Sequence, residues 1–238
     1  MQIKKALIAA ALLAASASAS AVEFHANIGG AGNLYVGNAG GGAGFDPVAV
    51  TGYTGQGGQF AGYWGSMDAD AFFRFFCVDL AQYAATGPLQ YTSQVYAGAK
   101  LDSIRKLYDV AYPNATAGDF WNGAQTNFGA FANDVQSAAF QVALWEIFFD
   151  NDLSLASGST FAWTGASTAV SQAAATMLTQ VAGYQGTGFQ DWTVYHFTSR
   201  TNQDYLSATR GASVPEPGSL ALFGLGLAGL ALRRRRSS

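Results

Sequence analysis

Two side chains hold most of the chemical interest in this sequence, and they lie 64 positions apart. Cys77 is the single cysteine of the chain and sits in the run RFFCVDL. With one cysteine no disulfide can form within the chain. An exposed thiol would be an oxidation hazard in an oxidising compartment, whereas a buried one behaves as a small, inert apolar group. Gln141 lies in the run AFQVALWEIF, in the middle of the most apolar stretch that has helical character. A buried carboxamide without hydrogen-bond partners costs about 1–3 kcal/mol, so Gln141 must find some. Ser137 and Trp145 are its neighbours one helical turn away. The simplest reading is a polar stripe of Asp134, Ser137 and Gln141 that fades into the core.

Other chemistry is poorly provided for. Two histidines, His25 and His196, cannot form a three-histidine metal site, and both fall in strand-like runs. No H-E-x-x-H, G-x-S-x-G or phosphate-loop pattern occurs. Asp150, Asn151 and Asp152 crowd a helix end without the spacing of an EF-hand loop, so they read as a helix-terminating turn. The sequence thus implies no metal, no cofactor and no turnover site. Aromatic residues make up 14% of the chain. Tyr53, Tyr63 and Trp64 are candidates to stack on sugar rings, although aromatics at alternating strand positions more often belong to a core.

The two ends describe an exported protein. Residues 1–21 carry Lys4 and Lys5, a short apolar run and A-x-A sites, which is a secretory signal peptide with cleavage expected after Ala21. Near the other end, Val214-Pro215-Glu216-Pro217 precedes an uncharged run over residues 218–232, and Arg233, Arg234, Arg235 and Arg236 follow at once. Four arginines beside an apolar helix stay on the cytoplasmic face, so the body lies outside the inner membrane. Without both signals, residues 22–214 retain 6 basic and 14 acidic residues, a net charge of −8. Such a surface repels nucleic acid and anionic lipid, and no nucleic-acid partner is expected.

The body is long enough for one domain with an elaborated insertion. Strand signals dominate residues 22–96, in runs such as PVAVTGY, GGQFAGYWG and AFFRFFCVDL, with glycine-rich breaks such as GYTGQGG between them. Helical periodicity takes over across 97–185. Leu101, Ile104, Leu107 and Tyr108 share one face of a first helix, which Pro113 ends. Asn133 or Asp134 caps a second helix that is apolar nearly all round and therefore buried. A third, over STAVSQAAATMLTQVAGY, closes at Gly183. Strand character returns across 186–210. Segregated strands and helices predict an α+β fold, a β-sandwich or barrel lobe with an inserted helical subdomain. The last strands should rejoin the first sheet. A C-terminal transmembrane sorting helix over 218–232 completes the expected organisation.

Two resemblances sharpen this reading. The order of VPEP, apolar helix and arginine cluster resembles the PEP-CTERM sorting signal across residues 213–238. That resemblance implies recognition by an exosortase-type sorting protease and cleavage near Pro215, Glu216 and Pro217. It also implies transient anchoring in the inner membrane, then release to the cell surface or exopolysaccharide matrix. The body, residues 22–212, resembles the Cys-Gln thioester-domain surface adhesins. In that family an aromatic-Cys-aliphatic-acidic strand motif precedes a Thr-Gln-x-Ala-aliphatic-Trp helix motif. FCVDL and FQVALWEI match at Cys77, Gln141, Ala143, Leu144 and Trp145, with Phe140 where the family has threonine.

The thioester resemblance implies that the Cys77 sulfur attacks the Gln141 carbonyl and ammonia leaves. An apolar surround of Phe75, Phe76, Phe140 and Trp145 would keep water from the activated acyl group. A partner amine or hydroxyl then displaces the thiol, and the protein stays covalently attached to a surface or matrix nucleophile through Gln141. The alternative open at this point is a structural or carbohydrate-binding matrix protein with an inert, buried Cys77.

Overall fold

The computed structural model describes residues 30–37, 45–64, 72–82, 84–115, 131–158 and 160–211. The signal peptide, His25, the sorting motif and the helix expected over 218–232 lie outside the described residues. Among the described residues no helix is long and apolar enough to cross a membrane.

Six antiparallel strands close into a barrel and three form a second sheet. In chain order the strands are β1 (Gly30–Gly37), β2 (Phe45–Val50), β3 (Tyr53–Gly58), β4 (Phe60–Trp64), β5 (Phe72–Cys77), β6 (Gly87–Val95), β7 (Trp163–Ala166), β8 (Trp192–Thr198) and β9 (Tyr205–Arg210). The barrel runs β1-β4-β5-β9-β8-β6 and the small sheet β3-β2-β7. The last two strands therefore return to the first ones as expected, β8 pairing with β6 and β9 with β5. Side chains alternate across β5. Phe73 and Phe75 stack with Phe197, Phe60 and Tyr205 on one face. Arg74 and Phe76 face the helices, where Phe76 meets Tyr108 and Phe140.

Two helices, α1 (Leu101–Ala111) and α2 (Asp134–Phe149), meet that outer face, and a third, α3 (Thr168–Ala182), packs on both of them. Ile104, Leu107 and Tyr108 are the buried residues of α1, as their spacing requires. Asn133 caps α2 by accepting a hydrogen bond from the Gln136 N–H. From Ser137 to Ile147 every residue of α2 is buried, because the helix lies between the barrel, the small sheet, α1 and α3. Gly183 closes α3 with its N–H on the Thr179 carbonyl.

The structure departs from the sequence reading in two places. The glycine-rich stretch read as a break, GYTGQGG, contains β3, which pairs with β2 from Phe45↔Gly58 to Val50↔Tyr53. The stretch read as purely helical, 97–185, contains β7, which pairs with β2. The strands before residue 96 are therefore not one lobe: β2 and β3 leave the barrel and pack on α2. Glycine eases the pairing of β3 with β2: a side-chain carbon at Gly57 would lie 3.0 Å from Val48 of β2, but 3.6 Å, an ordinary contact distance, from Gln141 of α2.

Candidate functional site

The site forms where β4 peels away from β5. Their ladder ends at Phe60↔Phe75, and the chain preceding β4 turns off at Gln59. Beyond that point the edge of β5 needs other partners. Two side chains one turn apart on α2 fill the gap, one on each side: Ser137 takes the chain that turns off before β4, and Gln141 takes the edge of β5. Ser137 Oγ accepts a hydrogen bond from the Gln59 N–H at 2.8 Å. The Gln141 carboxamide pairs with Cys77 at both ends: the Cys77 N–H donates to Gln141 Oε1 at 3.0 Å, and Gln141 Nε2 donates to the Cys77 carbonyl at 2.7 Å. Gln141 therefore acts as a substitute strand. The opposite edge of β5 is held by β9, with the Val78 N–H on the Asp204 carbonyl.

Cys77 and Gln141 are thus brought together across the junction of barrel and helices, but through the main chain of Cys77. The thiol stands on the same side of β5 as Phe73 and Phe75, near Tyr91 and Tyr205, whose phenols burial raises above their ordinary range. Burial, and after it the charge of Asp79, pushes the thiol itself well above its ordinary range. At neutral pH it is protonated. Gln141 is fully inaccessible and Cys77 is 4% exposed, so bulk water reaches neither.

The four aromatic residues expected around the pair are all buried, in different places. Phe76 and Phe140 form one contact, ring centres 4.3 Å apart. Phe75 lies inside the barrel against Tyr205. Trp145, one turn beyond Gln141, meets Tyr53 edge to face at 5.5 Å, and its indole N–H has no acceptor among the described residues. Tyr53 is consequently part of the cover over α2, with its hydroxyl bonded to Gln56, rather than a free sugar platform. Trp64 is likewise half-buried and packs on Phe197, while the side chain of Tyr63 lies outside what the structure describes. His196 is held in β8 with Nε2 3.7 Å from Asp204. Burial lowers its pKa. Among the described residues no three His, Cys, Asp or Glu side chains converge on a metal position.

Sequence reasoning passed over three polar residues, one beside the site and two in the helices that frame it. Gln59 donates its side-chain amide to the Tyr112 hydroxyl and accepts from Arg74. Asp109 holds Trp192 Nε1 at 3.0 Å, the Tyr184 hydroxyl and the Arg210 guanidinium, which ties α1 to β8 and β9. Glu146 is a fully buried carboxyl in the same helix as Gln141. Its signal was an acidic residue inside a helix apolar on every face, the same kind of anomaly that marks Gln141.

Against known proteins, the PEP-CTERM protein-sorting motif matches residues 213–236. A motif of this kind implies export, passage through and transient anchoring in a membrane, processing by an exosortase, and a surface or matrix destination. The chain is also similar in structure to the N-terminal thioester domain of a surface protein from Clostridium perfringens. The TM-score is 0.40 and the identity 13%, over 74% of this chain and 97% of that one. A likeness at that level carries no inference about this chain's chemistry. No curated protein matches the chain.

Proposed function

We propose that the exported protein attaches covalently to a partner through an internal thioester between Cys77 and Gln141. The observation that carries this reading is the grip of the Gln141 carboxamide on Cys77, inside a site closed to water. The Cys77 N–H already points at Oε1, where negative charge would gather as the sulfur attacks the carbonyl carbon. A preorganised donor at that atom lowers the barrier to acyl transfer. The carbon–sulfur bond forms, the carbon–nitrogen bond breaks, and the thiol proton leaves with the nitrogen as ammonia. The thioester is later opened by a surface or matrix nucleophile, a protein amine or a sugar hydroxyl, and Cys77 recovers its proton. Each molecule reacts once, so the protein is an attachment device and not a turnover enzyme.

A specific observation favours a second reading. Both carboxamide bonds end on main-chain atoms, and a neutral buried thiol is what an inert cysteine has. Gln141 would then only complete the edge of β5, and the chain would be a non-covalent structural or carbohydrate-binding matrix protein.

Intact mass of freshly purified protein, never exposed to amines, separates the two. The thioester reading expects the mass of one ammonia to be missing, restored in Cys77→Ala, and methylamine to add to the wild type alone. A full-length mass with no ammonia lost overturns it.

A further inference from the structure

The chain changes sheets within a single residue. Gly58 still pairs with Phe45 in the small sheet, and Phe60 already pairs with Phe75 in the barrel. Gln59 is the corner between β3 and β4. A main-chain N–H at such a corner loses its ladder partner and, once buried, must find another. The change of sheet also creates the place that Gln141 fills. Continued by two residues, the β4–β5 ladder would set Gly58 against Cys77. Gly58 goes to Phe45 instead, and the Gln141 carboxamide takes the vacated edge.

Gln59 is fully inaccessible and ties three elements to this corner. Its N–H donates to Ser137 Oγ of α2 at 2.8 Å. Its Nε2 donates to the hydroxyl of Tyr112, just past the end of α1, at 2.9 Å, and its Oε1 accepts from Arg74 Nη1 of β5 at 3.2 Å. An amide suits the position because it offers an acceptor to a guanidinium, which can only donate, and a donor to a phenol. Ser137 and Gln141 lie four residues apart on one face of α2, about 6 Å along its axis. A helix held against a strand edge at one point can still roll and slide about it. A second point one turn away removes both freedoms, and Gln59 supplies the group that Ser137 holds.

We propose that Gln59 is a positioning residue for the Cys77–Gln141 pair: it fixes the corner between the two sheets and, through Ser137, sets α2 so that the Gln141 carboxamide meets the main chain of Cys77. Gln59 acts on the pair through α2 and the edge of β5, by holding the helix and the strand in register. The positioning holds whether or not the two residues react. Its consequence for the loss of ammonia rests on the thioester reading, in which sulfur and carbonyl carbon must meet in a fixed geometry.

Hydrogen exchange of the exported protein in a Cys77→Ala background tests the positioning directly, because no thioester can form there and both carboxamide bonds remain. Gln59→Met keeps the length of the side chain and removes its hydrogen bonds. It should speed exchange at the residue-77 amide about tenfold relative to the Tyr195 amide, which lies at the centre of β8 opposite Ser207. Ser137→Ala removes only the contact to α2 and should repeat the rise, which gives a second variant if the first folds poorly. Gln59→Glu still accepts from Arg74 and takes the Tyr112 hydroxyl as a donor, so it should restore the original ratio. No rise at residue 77 overturns the proposal. So does a rise shared equally by residue 77 and Tyr195, which is general destabilisation. With Cys77 present, Gln59→Met should slow the loss of ammonia after folding, followed by intact mass, about ten- to a hundredfold. Equal rates in folded wild type and variant overturn the role in reaction. A wild type that never loses ammonia overturns the thioester reading alone, since the exchange comparison does not depend on it.

Discussion

Replacing Gln141 by alanine should cost far more than replacing Cys77, if the two residues meet only as the hydrogen bonds describe. Gln141→Ala leaves the Cys77 N–H and C=O without partners in a site that excludes water. An orphaned buried group costs about 1–3 kcal/mol, and the vacated carboxamide volume adds to that. The sum is about 3–5 kcal/mol, a large part of the stability of a domain this size. Cys77→Ala removes one buried sulfur and leaves both carboxamide bonds in place, since they end on main-chain atoms. Its cost is about 1 kcal/mol.

A thioester changes the second number and leaves the first high. Cys77→Ala would then also remove a crosslink closing a 64-residue loop, about 2–4 kcal/mol by analogy with a disulfide. Urea unfolding of the two variants beside wild type, with the mass of each preparation, measures both terms. Costs of about 4 and 1 kcal/mol with full mass describe an edge-capping glutamine. Costs of similar size with an ammonia missing in wild type describe the crosslink. A Gln141→Ala protein destabilised by less than about 1 kcal/mol would refute the reasoning itself, because the Cys77 main chain would have found other partners.

Four further expectations follow from other parts of the molecule. Because burial raises Glu146 from 4.5 to about 7 in the folded protein, the native state binds the extra proton, and stability should fall by about 2–3 kcal/mol as pH rises across that window and stay flat above it. Chemical denaturation at pH 4.5, 6 and 8 checks this, and Glu146→Gln should flatten the profile. Asp109→Ala should cost about 2–4 kcal/mol, since it releases Trp192, Tyr184 and Arg210 at once; thermal melting against Asp191→Ala, which loses a single 3.9 Å pair, supplies the contrast. Gly158→Ala should destabilise the turn after α2, where φ is 151° and a side-chain carbon would collide with the Phe161 carbonyl and Asp150; faster exchange at Thr160 reads it. Peptide mapping of surface-released protein should end near Pro215-Glu216-Pro217 and recover no peptide from 218–236.

What the sequence displayed well was whatever has a period or a cap. The all-round apolar stretch with Asn133 before it became α2 with Asn133 at its cap, and the aromatic alternation in WTVYHFT became β8. Strands built from glycine were hidden, because glycine carries no strand propensity and reads as a break. β3 is set by tertiary pairing: it registers along the whole of β2, and its Gly57 lies close against Val48 of that strand. β7 is four residues long and bulged, with φ of 151° at Gly165 and 87° at Ala166, too short and irregular to show a period. At the site, an amide in an apolar helix announced that Gln141 needs a buried partner. That the partner is the Cys77 main chain depends on where β4 leaves β5, and no local pattern encodes that point.

The same geometry that satisfies Gln141 bears on how it would react. Loss of ammonia removes Nε2, the donor that the Cys77 carbonyl holds at 2.7 Å. The thioester state would therefore keep one of the two carboxamide bonds, the one to Oε1, and leave a buried carbonyl unpaired. That subtracts about 1–3 kcal/mol from the roughly 2–4 kcal/mol by which such a crosslink would stabilise the fold. A thioester here would persist through the exclusion of water from its buried surround. Opening the cover formed by β3 and Tyr53 would then do two things at once. It would admit a nucleophile to the acyl carbon and a water to the orphaned Cys77 carbonyl, so attack would be coupled to relief of the one unsatisfied group that bond formation creates.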